Sequence, residues 1–218
     1  MNNRDPHQHQ PLLRAGEPLE HARAVMILLH GRGASAQDIL SLAQELPQDG
    51  FTFLAPQAAN AAWYPYRFME PLERNEPYLS SALNLIDSIL QRVRGAENMR
   101  DANIPNENIF LLGFSQGACL ATEYAARHAQ KYGGIIGLSG GLIGPDDTPR
   151  AYQGSFAQTP VFLGCSDVDF HIPKERVMAT RDVFEKMGAD VTMRLYPNMA
   201  HTVNEDEVEV VANMMRKL

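Results

Sequence analysis

The chain has 218 residues, of which 44% are hydrophobic and 21% are charged, and its formal net charge at pH 7 is −7. This size and apolar content predict a single domain over residues 1–218 with a sizeable core, in which residues 1–20 form a partly flexible N-terminal segment. The acidic balance argues against nucleic acid as the main partner, because phosphate binding requires a basic surface.

The N-terminus, the apolar runs and the cysteines of the chain indicate the cellular compartment of the protein. The first ten residues are polar, carry His7 and His9, and lack the apolar stretch of a secretory signal. No apolar run approaches the roughly 20 residues that cross a bilayer, so we expect no stable membrane insertion. Cys119 and Cys165 form neither a disulfide framework nor a metal site and are expected to be small buried residues. A reduced, cytoplasmic compartment is predicted.

Short apolar runs alternate with amphipathic segments along most of the chain. The predicted strands cover residues 24–29, 51–55, 108–112, 134–138, 160–164 and 191–196, and the predicted helices cover 36–46, 78–93, 118–129, 173–187 and 203–215. Alternation of this kind indicates βαβ crossovers. The chain is therefore predicted to be an α/β protein with a mostly parallel central sheet and helices on both faces.

The first predicted strand runs into a glycine-rich loop, His30-Gly31-Arg32-Gly33-Ala34. Such loops cradle phosphates or bring backbone N–H groups close to a substrate oxygen. This loop lacks the lysine and spacing of a P-loop and the pattern of a dinucleotide fingerprint. With a nucleophile elsewhere in the chain, it is predicted to supply one N–H donor of an oxyanion hole.

Residues 56–77 form a long irregular stretch that contains the only tryptophan of the chain. Long loops in a compact domain are often functional. Its large apolar side chains are Trp63, Tyr64, Tyr66, Phe68 and Met69. Two roles are open for them: they wall an acyl or aryl pocket, or they pin the loop to the sheet.

The predicted strand 108–112 leads into Gly113-Phe114-Ser115-Gln116-Gly117, and a helical pattern follows. A G-x-S-x-G sequence between a strand and a helix is the nucleophile elbow of α/β-hydrolases. The tight turn strains the serine and exposes its hydroxyl, and the flanking glycines remove Cβ atoms that would collide. Ser115 is therefore predicted to be the nucleophile, with the N–H of Gln116 as an oxyanion donor.

A serine hydroxyl needs a base, and in α/β-hydrolases an acid and then a histidine follow the serine. His201 lies on a short loop after the last predicted strand, where the base is expected. His128 falls within a helix and His171 at the rim of the preceding loop. That loop holds Asp167 and Asp169, and position alone does not separate them. The aspartate that is not the acid is expected to brace the loop by accepting N–H hydrogen bonds.

Four segments together resemble one family. The H-G-R-G loop at 30–33, the G-F-S-Q-G-A elbow at 113–118, the S-D-V-D loop at 166–169 and the His201 loop are similar to those of the phospholipase/carboxylesterase family of α/β-hydrolases. This family includes the acyl-protein thioesterases. The resemblance extends over residues 24–218 and implies the α/β-hydrolase fold, a Ser-His-Asp triad and no metal or other cofactor.

The resemblance also implies individual roles. The triad acid of the family is the second aspartate of a D-x-D pattern, which here is Asp169, and the second oxyanion N–H belongs to Arg32. Phe170 stands where the family usually has proline, and we place it at the substrate pocket with Trp63 and Tyr64. Members of the family are often dimers, so a homodimer and a monomer are both open.

Lipid-active members of the family often carry leucine at the position of Arg32 and aspartate at that of Ala34. These departures favour a carboxylesterase that cleaves small or medium acyl or aryl esters, a small-molecule substrate class, through an acyl-enzyme intermediate. One alternative is an acyl-protein thioesterase or lysophospholipase that acts on longer acyl chains. A second alternative is a binding protein with a silent hydrolase fold.

Overall fold

The computed structural model describes residues 5–95 and 103–218, in which seven strands and five α-helices are present. In chain order they are β1 (Leu12–Gly16), β2 (Ala24–Leu29), α1 (Ala36–Ala43), β3 (Phe51–Pro56), α2 (Tyr78–Val93), β4 (Ile109–Phe114), α3 (Gln116–Arg127), β5 (Gly134–Leu138), β6 (Pro160–Ser166), α4 (Lys174–Lys186), β7 (Asp190–Tyr196) and α5 (Glu205–Arg216). The six predicted strands and five predicted helices are all found, with ends shifted by at most three residues.

The strands form one sheet in the order β1-β3-β2-β4-β5-β6-β7. Every neighbouring pair is parallel except β1 and β3, which are antiparallel. Strands β2 and β3 are buried along their whole length, which explains why β2 is a continuous apolar run and β3 is apolar except for Thr52. Helices cover both faces, so the predicted fold class is confirmed.

The N-terminal region differs from the sequence-based expectation. No apolar run before residue 24 predicts a strand, yet β1 pairs with β3 from Leu12 opposite Pro56 to Gly16 opposite Thr52. An edge strand of five residues, three half-buried and two exposed, leaves no continuous apolar pattern. His7 is fully buried. Its backbone N–H donates to the Ser81 hydroxyl at 3.0 Å. The segment expected to be partly flexible thus contributes a strand and a core contact, with residues 1–4 outside the described part.

Alternate side chains of β2 show how the core divides into two halves. Val25, Ile27 and Leu29 pack in a cluster with α2, α3 and α4, whereas Met26 and Leu28 pack in a second cluster with α1 and α5. Side chains of a strand alternate between the two faces of a sheet, so each half of the core covers one face. Among the described residues no helix has the length and apolar character to span a bilayer.

The order of the strands determines where a crevice opens. The chain leaves β2 for β3 on one side and returns to β4 on the other side of β2. In open parallel sheets, ligands bind outside the carboxyl ends of the strands at such a switch point. The loop at 30–34 follows β2, and Ser115 follows β4. Both segments therefore lie at the switch point.

Candidate active site

Ser115 alone makes the turn between β4 and α3. Its backbone has φ 56° and ψ −119°, in the left-handed half of conformational space that favours glycine. Such a residue typically costs about 1–3 kcal/mol of strain and persists only where its surroundings hold it. Here the Ser115 N–H donates to the Leu138 carbonyl at 2.9 Å, and the Ser115 carbonyl accepts from Cys119 N–H at 3.0 Å. The turn is fixed at both ends.

The two glycines of the elbow are required by close backbone contacts. A Cβ on Gly113 would collide with the carbonyl of Gly117, and a Cβ on Gly117 would collide with the carbonyl of Leu29. The opposing atoms belong to the backbone and cannot rotate away. Strand β4, helix α3 and the end of β2 therefore meet only where side chains are absent, and this contact places Ser115 beside the glycine-rich loop.

The structure joins Ser115, His201 and Asp169 in one chain of hydrogen bonds. His201 Nε2 lies 2.8 Å from Ser115 Oγ, and His201 Nδ1 lies 2.6 Å from Asp169 Oδ2. The other oxygen, Asp169 Oδ1, accepts from the backbone N–H groups of His171 at 2.8 Å and Ile172 at 3.0 Å. Segments far apart in the sequence thus converge at the carboxyl edge of the sheet.

The charge of Asp169 determines how His201 is oriented. Burial favours the neutral acid, but the hydrogen bonds from His201 and from the two backbone N–H groups outweigh it and hold the pKa of Asp169 below its usual value. An ionised carboxylate can only accept, so Nδ1 of His201 carries the proton. Nε2 is then free to accept a proton from the Ser115 hydroxyl.

The two aspartates of the D-x-D loop have different contacts. Asp167 does not reach His201 but accepts the backbone N–H of Asn198 at 2.8 Å, and its own N–H donates to the Tyr196 carbonyl at 3.1 Å. These bonds tie the loop after β6 to the loop after β7. Asp167 is therefore the bracing residue and Asp169 is the partner of His201.

Helix α5 fixes the far end of the His201 loop through a capping box. Asn204 Oδ1 accepts the N–H of Glu207 at 2.9 Å, and Glu207 Oε2 accepts the N–H of Asn204 at 3.0 Å. Glu207 is fully buried, and its Oε1 packs against Gly164 with no hydrogen-bond partner in residues 5–95 and 103–218. Burial raises the pKa of Glu207 to about 7, although the bond from Asn204 opposes this.

This raised pKa predicts how stability depends on pH. Between the usual pKa of 4.5 and about 7, the folded protein keeps a proton on Glu207 that the unfolded chain releases. Stability from this group is therefore complete below pH 4.5 and declines as the pH rises to about 7. Glu207→Gln keeps the acceptor for Asn204 but cannot ionise. Its free energy of unfolding relative to wild type should rise by about 3 kcal/mol between pH 5 and pH 8. Denaturant unfolding across this range checks the prediction, and a pH-independent difference would contradict it.

The glycine-rich loop is oriented by His30. Its Nδ1–H donates to the Gly31 carbonyl at 2.8 Å, and its Nε2 accepts the N–H of Ala58 at 3.1 Å. Burial lowers the pKa of His30, which keeps the ring neutral. The C=O and N–H groups of a planar trans peptide point in opposite directions. Fixing the Gly31 carbonyl therefore also fixes the direction of the Arg32 N–H.

The backbone N–H groups of Arg32 and Gln116 belong to two residues that line the cleft containing Ser115. Within the described residues neither N–H group has a hydrogen-bond acceptor. The Gln116 N–H belongs to the first turn of α3, where helical donors have no partner in the helix. The arrangement can therefore donate two hydrogen bonds to an oxygen bound beside Ser115.

The side chains of the same two residues hold the long loop at 57–77. The Arg32 guanidinium donates to the carbonyls of residues 64–66 at 2.5–2.9 Å. Gln116 Oε1 accepts the N–H of Trp63 at 2.9 Å, and its Nε2 donates to the Tyr64 carbonyl at 2.8 Å. Positioning of the backbone N–H donors is thus coupled to the loop that forms the cleft wall.

A cleft of about 240 Å³ opens at Ser115. It is lined by Arg32, Tyr64, Arg67, Phe68, Ser115, Gln116, Cys119, His171, Ile172 and His201. Tyr64, one of the three residues that the sequence analysis places at the substrate pocket, lies at the wall of this cleft. Trp63 is fully buried behind it, where its Nε1–H donates to the His30 carbonyl at 2.8 Å. Phe170 is 93% exposed and is not among the residues that line the cleft, so its placement at the substrate pocket is not supported.

Some residues that line the cleft were not predicted from the sequence. Arg67 and Ile172 belong to no motif. They line the same cleft only because the loop at 57–77 and the loop before α4 fold over the same strand ends.

Cys119 and Cys165 are both free and buried, as expected. A second, open groove of about 560 Å³ also borders His201. Its apolar lining includes Ile39, Leu42, Phe114 and Val203.

A mostly parallel seven-stranded sheet, a strained serine between β4 and α3, and a histidine after the last strand define an α/β-hydrolase. The sequence model of the Phospholipase/Carboxylesterase family matches residues 14–218. The chain therefore belongs to the phospholipase/carboxylesterase family, and it is a hydrolase that acts on esters.

Individual relatives agree with this assignment. The crystal structure of a phospholipase/carboxylesterase from Dyadobacter fermentans is 42% identical, with a TM-score of 0.88 over 95% of this chain and 96% of that one. Acyl-protein thioesterase 1 of Saccharomyces cerevisiae is 28% identical over 94% of this chain and 97% of its own. The carboxylesterase of Bacillus cereus shares the fold, with a TM-score of 0.73 at 18% identity over 96% of this chain and 95% of that one.

Proposed function

We propose that the protein is a serine carboxylesterase that cleaves small or medium acyl or aryl esters through Ser115, His201 and Asp169. The observation that carries this proposal is the hydrogen-bond chain from Ser115 Oγ to His201 Nε2 at 2.8 Å and from His201 Nδ1 to Asp169 Oδ2 at 2.6 Å. The strained serine and the free N–H groups beside it support the same chemistry.

In the proposed reaction, His201 Nε2 takes the proton of the Ser115 hydroxyl as Oγ attacks the ester carbonyl carbon. Asp169 stabilises the positive charge that develops on the ring. The N–H groups of Arg32 and Gln116 hold the oxyanion of the tetrahedral intermediate. His201 then gives its proton to the leaving alcohol, and an acyl-enzyme on Ser115 remains. Water, activated by His201, hydrolyses it. No cofactor enters these steps.

The size of the cleft supports small substrates. Its volume of about 240 Å³ lies below the roughly 300–1,000 Å³ of pockets for drug-sized ligands. Tyr64 and Phe68 supply an apolar wall suited to a short acyl or aryl group. The two buried free cysteines support a reduced compartment, and we place the enzyme in the cytoplasm.

A thioesterase or lysophospholipase acting on longer acyl chains is the second candidate. The groove of about 560 Å³ that also borders His201 favours it, because Ile39, Leu42 and Phe114 offer an apolar path for a longer chain. The names of the thioesterase relatives point the same way. The two candidates share the proposed chemistry and differ in the length of the acyl group.

Hydrolysis of p-nitrophenyl acetate, butyrate, octanoate and palmitate distinguishes them. We expect kcat/KM to be highest for acetate or butyrate and to exceed that for palmitate by about tenfold or more. A fluorophosphonate should add covalently to Ser115, as detected by mass spectrometry of the peptide that contains it. A long-chain optimum would replace the first candidate by the second. Absence of labelling together with absence of turnover would support a binding protein instead.

A further inference from the structure

The charged side chains that line the cleft at Ser115 are basic, although the protein is acidic overall. Two arginines, Arg32 and Arg67, line it, and no aspartate or glutamate is among its lining residues. The chain as a whole has a formal net charge of −7. Clefts lined by one sign of charge concentrate ligands of the opposite sign. The two arginines that line the cleft are therefore opposite in sign to the net charge of the protein.

The two arginines differ in what their side chains contact. Arg32 is held by the carbonyls of residues 64–66, which are neutral acceptors and leave its charge uncancelled. Arg67 is exposed, and within residues 5–95 and 103–218 its guanidinium has neither a hydrogen-bond acceptor nor an ion-pair partner. Nearby arginines are compensated: Arg74 pairs with Glu70 at 2.7 Å, and Arg176 with Asp146 at 2.6 Å.

A free guanidinium beside a nucleophile is suited to a particular kind of ligand. Its planar donors bind a carboxylate or phosphate in a two-pronged manner. The backbone of Arg67 is fixed, since its carbonyl accepts from the buried Asn75 side chain at 3.2 Å. The guanidinium therefore extends from an anchored backbone at the wall and is available to a ligand. Arg32 adds a second, immobile charge to the same cleft.

We propose that the esters cleaved at this site carry an anionic group, and that Arg67 is the residue that selects them. The inference rests on the proposed function of Ser115 and narrows its substrate class. An anion a few atoms from the ester carbonyl lies within the field of both arginines. The preference for anionic esters acts on the binding of the substrate and on the rate at which substrate and enzyme meet. It weakens as salt screens the charges.

Two matched pairs of esters test this proposal. In the first, the alcohol portion is charged or neutral: 4-acetoxybenzoate against 4-acetoxybenzamide. In the second, the acyl portion is charged or neutral: p-nitrophenyl hydrogen adipate against p-nitrophenyl hexanoate. The measured quantity is the ratio of kcat/KM for the anionic ester to that for its neutral partner, each divided by its rate of uncatalysed hydrolysis.

We expect this ratio to exceed one for at least one pair, and Arg67→Gln to lower it by about tenfold in that pair. Arg14→Gln makes the same change of charge outside the cleft and should leave the ratio within about twofold of wild type. Raising the salt concentration should shrink the wild-type preference. The loss of preference in the variant should appear mainly in KM.

The outcomes separate the two proposals. If neutral esters are turned over in a Ser115-dependent manner but the wild-type ratio exceeds one for neither pair, the anion preference is wrong and the esterase remains. If the ratio exceeds one but Arg67→Gln leaves it unchanged for both pairs, the role of Arg67 is wrong. If Arg14→Gln lowers the ratio as much as Arg67→Gln does, the effect is one of overall charge, and the role of Arg67 is wrong. If no ester is turned over in a Ser115-dependent manner, both proposals fail.

Discussion

Ser115→Ala is expected to lower kcat for p-nitrophenyl butyrate by about a millionfold, by comparison with knockouts of other serine triads. The variant keeps the free N–H groups of Arg32 and Gln116, so residual catalysis over the uncatalysed reaction is expected from these donors and from binding. Removal of Oγ takes away the hydroxyl that donates to His201 Nε2 at 2.8 Å. KM should change much less than kcat, because the hydroxyl acts in the reacting state.

The control for this variant is Ser88→Ala, which removes the same atom from an exposed serine on α2. The Ser88 hydroxyl donates only to the Leu85 carbonyl at 2.8 Å, on the surface of that helix. Its kcat should stay within about twofold of wild type. Circular dichroism and thermal melting would show that both variants are folded. Retention of a tenth of the wild-type kcat by folded Ser115→Ala would contradict the assignment of the nucleophile.

The elements of the fold that could be predicted from the sequence are those whose residues are all buried to a similar extent. Strands β2 and β3 are buried on both faces, so burial alone requires almost entirely apolar residues. β1 was missed because it is short, partly exposed and stabilised by its antiparallel pairing with β3, which lies about forty residues further along the chain. The helix after the elbow begins at Gln116, two residues before the predicted start.

The residues of the site likewise include some that could be predicted from the sequence and some that could not. The elbow and the position of His201 could be predicted because local sequence forms the turn and the topology fixes the order of the partners. Spacing could not separate Asp167 from Asp169, since both lie on one loop and the choice depends on which side chain reaches His201. Arg67 left no signal, because an arginine in a loop is usually solvated, and only the folded loop brings it to the cleft.

The second large effect is expected from Asp169→Asn, which should lower kcat by about ten-thousandfold, as the same change does in other serine hydrolases. Oδ1 of residue 169 is held by the N–H groups of His171 and Ile172. The asparagine oxygen must take this place, because the amide nitrogen cannot accept a hydrogen bond. The NH₂ group then faces His201 Nδ1 and forces the proton onto Nε2. The ring consequently donates to Ser115 and cannot accept its proton.

Asp167→Asn is the matched control, since it makes the same chemical change two residues away on the same loop. Its amide oxygen can still accept the N–H of Asn198, so the loops after β6 and β7 stay joined. We expect its kcat to fall by no more than about fivefold. Steady-state kinetics on p-nitrophenyl butyrate compare the two variants. A larger loss from Asp167→Asn than from Asp169→Asn would assign the acid to Asp167. Equally small losses of kcat in the two variants would mean that His201 acts without a carboxylate partner. The predicted difference of about two-thousandfold or more arises because only one of the two carboxylates determines the tautomer of His201.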